Sequence, residues 1–239
     1  MNKTALITGG SRGIGAFAVK EYSRLGYNVA FTYFNSIEKA KELESSTGAF
    51  GIYCDVSKSD SVNNAIKLAN EKFGQIDILI NNAGIDEFAL FTEISDEMWH
   101  RMIDTNLSSA FYASRAVLPQ MISRKSGIII NVSSMWGQVG ASCETHYSVS
   151  KAGMIGLTKA LAKEVGPSGI RVNCICPGVI DTEMNAHLSS EDKKQLINDT
   201  PLGKIGKCED VVNTLIFLSE DNSSFITGQI FGVNGGYII

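Results

Sequence analysis

Seven short apolar runs, rich in β-branched residues, recur along the chain: "TALIT" (4–8), "NVAFTY" (28–33), "GIYCDV" (51–56), "IDILINNAG" (76–84), "GIIINVSS" (127–134), "IRVNCICPG" (170–178) and "GQIFGVNGG" (228–236). None alternates polar with apolar positions. A strand with one solvated face alternates, so these runs predict strands buried on both faces. Helix-like stretches separate them. One ends at about Leu25, others cover 37–46 and about 59–73, a long one runs from about Asp96 to Ser123, and one reaches about Val165. Strands separated by helices predict crossover connections and an α/β fold, a doubly wound parallel sheet of seven strands with helices on both faces. The length of 239 residues, 44% of them hydrophobic, suits one domain over 1–239, although length alone also admits two small ones. The segment 179–207 breaks the rhythm. It is polar, contains "SSEDKK", and follows the sixth strand, where such sheets bind ligands. It reads either as a substrate lid or as an ordinary surface insertion.

A net charge of −4 argues against general binding to the nucleic-acid backbone. No apolar stretch is long enough to span a bilayer, and "MNKTALITGG" lacks the apolar core and cleavage site of a signal peptide. Five scattered cysteines fit a reducing cytosol, so a cytoplasmic location is expected. Strand geometry puts Cys174 and Cys176 on one face, as buried thiols. His100, His146 and His187 show no ligand spacing with the cysteines, and no metal site is expected.

"TGGSRGIG" (8–15) follows the first strand and opens the first helix. Gly9, Gly13 and Gly15 allow a tight turn and close approach to a pyrophosphate, whose charge the helix N-terminus favours. With a strand before it and a helix after it, the turn predicts a dinucleotide site. Sites for NAD usually carry an acid at the end of the second strand. Here that end reads "TYFNS" (32–36), while Arg12 stands in the glycine turn. A guanidinium binds a 2′-phosphate that an acid would repel, so NADPH is the expected cofactor. The other reading has Arg12 packing along the turn in a site that accepts both cofactors.

In "ETHYSVSKAG" (144–153), Tyr147 and Lys151 stand one helical turn apart on a shared face. Taken alone, the pair is either an ordinary helix face or a phenol tuned by an ammonium.

Together these motifs resemble the classical short-chain dehydrogenase/reductase family over nearly the whole length. The match includes "TGGSRGIG", Asp55–Val56, "NNAG" (81–84), Asn106 in "DTNLSSAF", Ser134 in "NVSSMWG", Tyr147, Lys151 and "PGVIDTEM" (177–184). Within the family the chain resembles 3-oxoacyl-acyl-carrier-protein reductases. The stretch "SSMWGQVGASCETHYSVSKAG" (133–153) is similar to reductases that act on a 5-aminopentanone group carried by a lysine of translation elongation factor P.

The resemblance implies a Rossmann-type fold and NADPH-dependent reduction of a ketone to a secondary alcohol. It makes Tyr147 the proton donor, its phenol made more acidic by Lys151 and the nicotinamide. Lys151 also holds the nicotinamide ribose, Ser134 orients the carbonyl oxygen, and Asn106 holds a water that links Lys151 to solvent. Asp55 and Val56 flank the adenine, and Asn82, Ala83 and Gly84 line the cofactor. Pro177, Gly178, Ile180 and Thr182 meet its nicotinamide end, although Thr182 also reads as a helix N-cap. Gly9, Ser11, Arg12, Gly13, Ile14, Gly15 and Asn35 complete the expected cofactor contacts. Lys125 is a candidate for a basic patch facing acyl carrier protein. Ser168 stands where carrier-protein reductases often carry an arginine. Asp86, Glu87 and Glu144 offer acids to an amine-bearing substrate instead, or are merely solvated. Trp136 walls the pocket or only packs. The resemblance also implies a homotetramer, with the helix from about Asp96 and the helix of Tyr147 forming the main interface and "GYII" at the C-terminus a second. A contrasting expectation is a non-catalytic NADP-binding regulator.

Overall fold

The computed structural model describes residues 2–186 and 188–239. Among them seven strands pair in parallel: β1 (Thr4–Ile7), β2 (Asn28–Tyr33), β3 (Phe50–Tyr53), β4 (Ile78–Asn81), β5 (Gly127–Val132), β6 (Ile170–Pro177) and β7 (Ile230–Val233). Their spatial order is β3-β2-β1-β4-β5-β6-β7. Ala5 pairs with Val29 on one side and Ile78 on the other, which fixes β1 beside both β2 and β4.

The lack of polar alternation is explained by what covers the sheet. Ile7, Phe31, Ile80, Val132 and Ile175 point to one face. There they meet Val19 and Tyr22 of α1 (Gly13–Arg24), Leu43 of α2 (Ile37–Thr47) and a further helix described below. Leu6, Ala30, Leu79, Ile129 and Val172 point to the other face. They meet Ile66 of α3 (Ser59–Phe73) and, farther along the chain, Val117 and Ala162. Each large side chain so buried contributes about 2 kcal/mol, and neither face could be left to water.

The long helix expected over Asp96–Ser123 is interrupted. It forms α4 (Asp96–Ile103), a π turn (Asp104–Ser108) and α5 (Ser109–Arg124). Ser95 caps α4 by accepting from the Met98 amide at 3.2 Å. A short helix, α6 (Trp136–Val139), precedes α7 (Thr145–Val165). The polar stretch after β6 is partly helical. It contains α8 (Ser190–Asp199), opened by a reciprocal cap between Ser189 and Asp192. A further helix, α9 (Cys208–Ser219), lies beyond it, and its Val211, Leu215 and Leu218 complete the first face.

From β1 the chain winds outward to β3, then returns to β4 on the other side of β1. The order of strands therefore reverses between β1 and β4, and a crevice opens beyond their C-terminal ends. Among the described residues no helix is long and apolar enough to cross a membrane.

Candidate active site

The two loops flanking that crevice are stitched together. Thr8 Oγ1 accepts from the backbone amides of Asn82 and Ala83 at 3.0 Å each. The Asn82 side-chain amide donates to the Thr8 and Gly9 carbonyls at 3.0 and 3.2 Å. Gly9 has φ +65°, and a Cβ there would lie 2.8 Å from Ala83 Cα. At Gly15 a Cβ would come within 2.3 Å of the Gly9 carbonyl oxygen. The crevice floor is therefore bare backbone, with the N-terminus of α1 opening on it. That is the shape and polarity a pyrophosphate needs, so these residues fit a dinucleotide. Gly13 also has positive φ, and Thr182 lies over it, with 3.5 Å between Thr182 Cγ2 and a Cβ placed there. Thr182 precedes a short 3₁₀ turn, Glu183–Asn185, but its hydroxyl makes no capping bond. Ser11 and Arg12 lie in the turn itself, and Ile14 packs toward the core beneath it.

Other expected cofactor residues are distributed along the crevice. Asn35 is exposed at the bend after β2, and Asp55 and Val56 follow β3. The Asp55 carboxylate secures its own turn, accepting from the Ser57 amide at 3.0 Å and the Ser57 hydroxyl at 2.7 Å. Pro177 ends β6, and Gly178 lies against Asn234, where a Cβ would approach Cα to 2.8 Å. The Ile180 side chain is buried in the core.

Asn106, Ser134, Tyr147 and Lys151 converge beside this crevice, and all four are buried. Ser134 follows β5, while Tyr147 and Lys151 share one face of α7. Lys151 Nζ donates to the Val132 carbonyl at 3.0 Å and lies 5.6 Å from the centre of the Tyr147 ring. The Ser134 hydroxyl acts on the Tyr147 phenol and favours its ionised form. A Cβ on Gly84 would stand 3.3 Å from both Lys151 Nζ and Asn106 Oδ1, so the glycine lets the two approach the loop after β4. Asn106 sits within the π turn. Its Oδ1 accepts from the Ile85 amide at 2.8 Å, and its Nδ2 donates to the Ile85 carbonyl at 2.9 Å. Nδ2 also reaches Ser150 Oγ at 3.1 Å. The Asn106 amide thus pins the loop after β4 to α7. Beneath it, Asn81 donates to Asn131 at 2.8 Å, and Asn131 to Thr158 at 2.8 Å, tying β4, β5 and α7 in a buried chain.

Burial dominates the electrostatics. It pushes the Tyr147 phenol above its ordinary range, Ser134 opposes this, and Asp86, Glu144 and Cys176 push it further up. In the protein alone burial therefore makes the phenol a weaker acid. Burial also lowers Lys151 from 10.5 to about 8, against the opposing pull of Cys174, Cys176 and Asp86. Cys174 and Cys176 lie buried under the site, and Cys174 Sγ reaches the Ile175 carbonyl at 3.7 Å. Among the described residues no cluster of His, Cys, Asp or Glu suited to a metal gathers.

The remaining candidates fall as follows. Lys125 and Ser168 precede β5 and β6, which places them at the N-terminal edge of the sheet. There the Lys125 carbonyl oxygen faces Gly169, 2.6 Å from where a Cβ would stand. Within one chain neither borders the crevice. Trp136 packs edge-on against Tyr237, with ring centres 5.8 Å apart, so part of "GYII" is held within the subunit while Ile239 is fully exposed. Two groupings escaped the sequence. Fully buried His146 sits 3.9 Å from the Glu87 carboxylate, which also accepts from Arg101 at 2.5 Å. Glu183 pairs with Lys39 and, at 3.9 Å, with Arg12. No local pattern marks either.

A family model described as enoyl-(acyl carrier protein) reductase matches residues 9–238. The chain is 43% identical to a 3-oxoacyl-[acyl-carrier-protein] reductase of Chlamydia trachomatis over 242 residues, covering 99% of this chain and 97% of that protein. It is 41% identical to the protein of the same name from Staphylococcus epidermidis over 241 residues, covering 99% of each. The corresponding Staphylococcus aureus protein is 42% identical, with 99% and 98% covered. The chain belongs to the short-chain dehydrogenase/reductase family and is an oxidoreductase.

Proposed function

We propose that the protein reduces a 3-oxoacyl group, carried as a thioester on acyl carrier protein, to the 3-hydroxyacyl product with NADPH. The observation that carries this reading is the convergence of buried Ser134 and Tyr147 at the crevice, with the Lys151 ammonium 5.6 Å from the Tyr147 ring centre. Two hydroxyls and a cation suit an oxygen that gains negative charge, as a ketone oxygen does. The name of the matching family model speaks of enoyl reduction, whereas the relatives named above are oxoacyl reductases.

When bound, NADPH supplies a hydride to the carbonyl carbon. The chain's residues handle the proton. Ser134 Oγ accepts from the Trp136 amide at 3.2 Å, which leaves its own hydrogen to donate to the substrate oxygen. Tyr147 gives its proton to that oxygen, completing the alcohol. Lys151, fixed on the Val132 carbonyl, stabilises the resulting phenolate and passes on the replacement proton. Asn106 holds the loop carrying Gly84 and Ile85 in place and so keeps the proton path open. Gly9, Ser11, Gly13, Ile14, Gly15, Asn82 and Ala83 form the bed for the pyrophosphate. Arg12 and Asn35 take the 2′-phosphate end, Asp55 and Val56 the adenine, and Pro177, Gly178, Ile180 and Thr182 the nicotinamide end.

A second reading, reduction of a 5-aminopentanone group on elongation factor P, draws on Asp86 and Glu144, whose negative charges act on the Tyr147 phenol. Such acids favour an amine-bearing ketone over an acidic carrier. A purely NADP-binding regulator is not favoured by four convergent buried polar groups. A homotetramer in the cytoplasm agrees with exposed Phe111 on α5 and Val149 on α7, and with five free cysteines. Light scattering that finds only monomer at micromolar concentration refutes the assembly.

The deciding experiment follows NADPH oxidation with acetoacetyl-acyl carrier protein and with aminopentanone-modified elongation factor P. Turnover of the thioester is expected. Turnover of the modified factor alone overturns the first reading in favour of the second.

A further inference from the structure

The end of β2 carries no acid, and two cations border it: Arg12 in the glycine turn and Lys39 in the first turns of α2. An anion from elsewhere in the chain already bridges them. Glu183 Oε1 accepts from Lys39 Nζ, and Glu183 Oε2 lies 3.9 Å from Arg12. This contact joins residues 144 positions apart. Thr182, just before it, lies over Gly13. The stretch starting at Thr182 is thus drawn across the mouth of the phosphate bed and fastened by one carboxylate. Its base is held independently of that carboxylate. The Gly206 amide donates to the Val179 carbonyl at 3.0 Å, and the Asp181 amide to the Gly206 carbonyl at 2.9 Å. The fastening can therefore open without unravelling the polar insertion.

We propose that Glu183 is a built-in competitor for the 2′-phosphate of NADPH, and that Lys39 is a cofactor-specificity residue alongside Arg12. The inference rests on the NADPH reading above. The 2′-phosphate carries close to two negative charges and three acceptor oxygens, against one charge on the carboxylate. It displaces Glu183 from both cations and releases Thr182–Ala186 from the crevice mouth. NADH, with a hydroxyl in that place, leaves Glu183 fastened. The lowered pKa of Glu183, due first to its bond with Lys39, agrees with a carboxylate held by cations.

The test is calorimetric titration of the full chain, with wild type, E183Q, K39A and the double variant. The ligands are NADPH, NADH, and the probes adenosine 2′,5′-bisphosphate and AMP. E183Q should tighten NADPH and the bisphosphate by about three- to fivefold while NADH and AMP move less than about twofold, the range of exposed charge pairs. K39A should weaken only NADPH and the bisphosphate, the ligands with a 2′-phosphate, by roughly tenfold. In the K39A background the gain from E183Q should shrink, because the competitor then acts only through the more distant Arg12. Equal gains for NADH, or a full gain retained without Lys39, overturn the proposal. Equal wild-type affinity for NADPH and NADH would instead refute the NADPH reading. The bisphosphate titrations still decide the role of Glu183 in that case.

Discussion

The two sides of the crevice are built on different principles. On the β4–β5–α7 side every functional group is buried and tied by short hydrogen bonds: Lys151 to Val132, Asn106 to Ile85, Asn131 to Thr158. On the β1–β2 side the floor is backbone alone, and the charges at its rim are about half exposed, with side-chain exposures of 55% at Arg12 and 49% at Lys39. Buried groups act in a low dielectric and cannot relax, whereas exposed charges are screened and exchange partners freely. Proton transfer requires the first arrangement. A cofactor that enters and leaves each cycle is served by the second.

The largest test of this contrast is Tyr147→Phe. Turnover should fall by roughly a thousandfold or more with fold and cofactor affinity kept, because only the proton donor is lost. Steady-state kinetics beside NADPH titration checks it, and near wild-type kcat would remove Tyr147 from the chemistry.

The next effect comes from Lys151. Its pKa is lowered from 10.5 to about 8 in the folded chain, so between these values the unfolded chain binds more protons than the folded one. Stability attributable to this group should therefore rise with pH across that window, by up to about 3 kcal/mol. Denaturant melts of wild type and Lys151→Met from pH 7.5 to 10.5 should show wild type gaining on the variant. Parallel curves would mean that the ammonium is not held against burial.

Within the cofactor side, shape should outweigh charge. Gly15→Ala forces a methyl to 2.3 Å from the Gly9 carbonyl oxygen. It should cost about 1–3 kcal/mol of stability. Arg12→Ala should change stability by less than about 0.5 kcal/mol. Urea midpoints measure both, and the reverse order would break the comparison.

Smallest is Glu144→Gln. For an amine-bearing ketone it should raise KM by a few-fold, up to about tenfold, and less at high salt. For a substrate on acyl carrier protein, KM should stay level or fall. The direction of the KM shift on each substrate separates the two readings of function.

The sequence was most legible where function depends on neighbours in the chain. The ends of β2 and α3 coincide with their apolar patterns, and the glycine turn announced itself between a strand and a helix. Tyr147 and Lys151 needed only helical spacing. The π turn was hidden because "DTNLS" contains nothing a regular helix would refuse, so the periodicity reads straight through it. Helix α9 was hidden by an almost uniformly apolar run, "VVNTLIFL", beside a polar insertion. The position of Lys125 was hidden because it depends on which end of a strand a loop joins, and composition says nothing of that. Glu183 and Lys39 meet only through the fold.

One consequence of the π turn concerns how this chain tolerates edits. Removing any one residue between Asp104 and Ser108 would let α4 and α5 merge into an uninterrupted helix, a locally cheaper conformation. The merger would also swing everything on one side of the join by about 100°. Asn106 would then leave Ile85, or Met102, fully buried on α4, would leave its place. An alignment would record such a deletion as a harmless gap in a helix. In the molecule it is a ratchet tooth, and losing it would leave a sturdier rod attached to a misdirected hand.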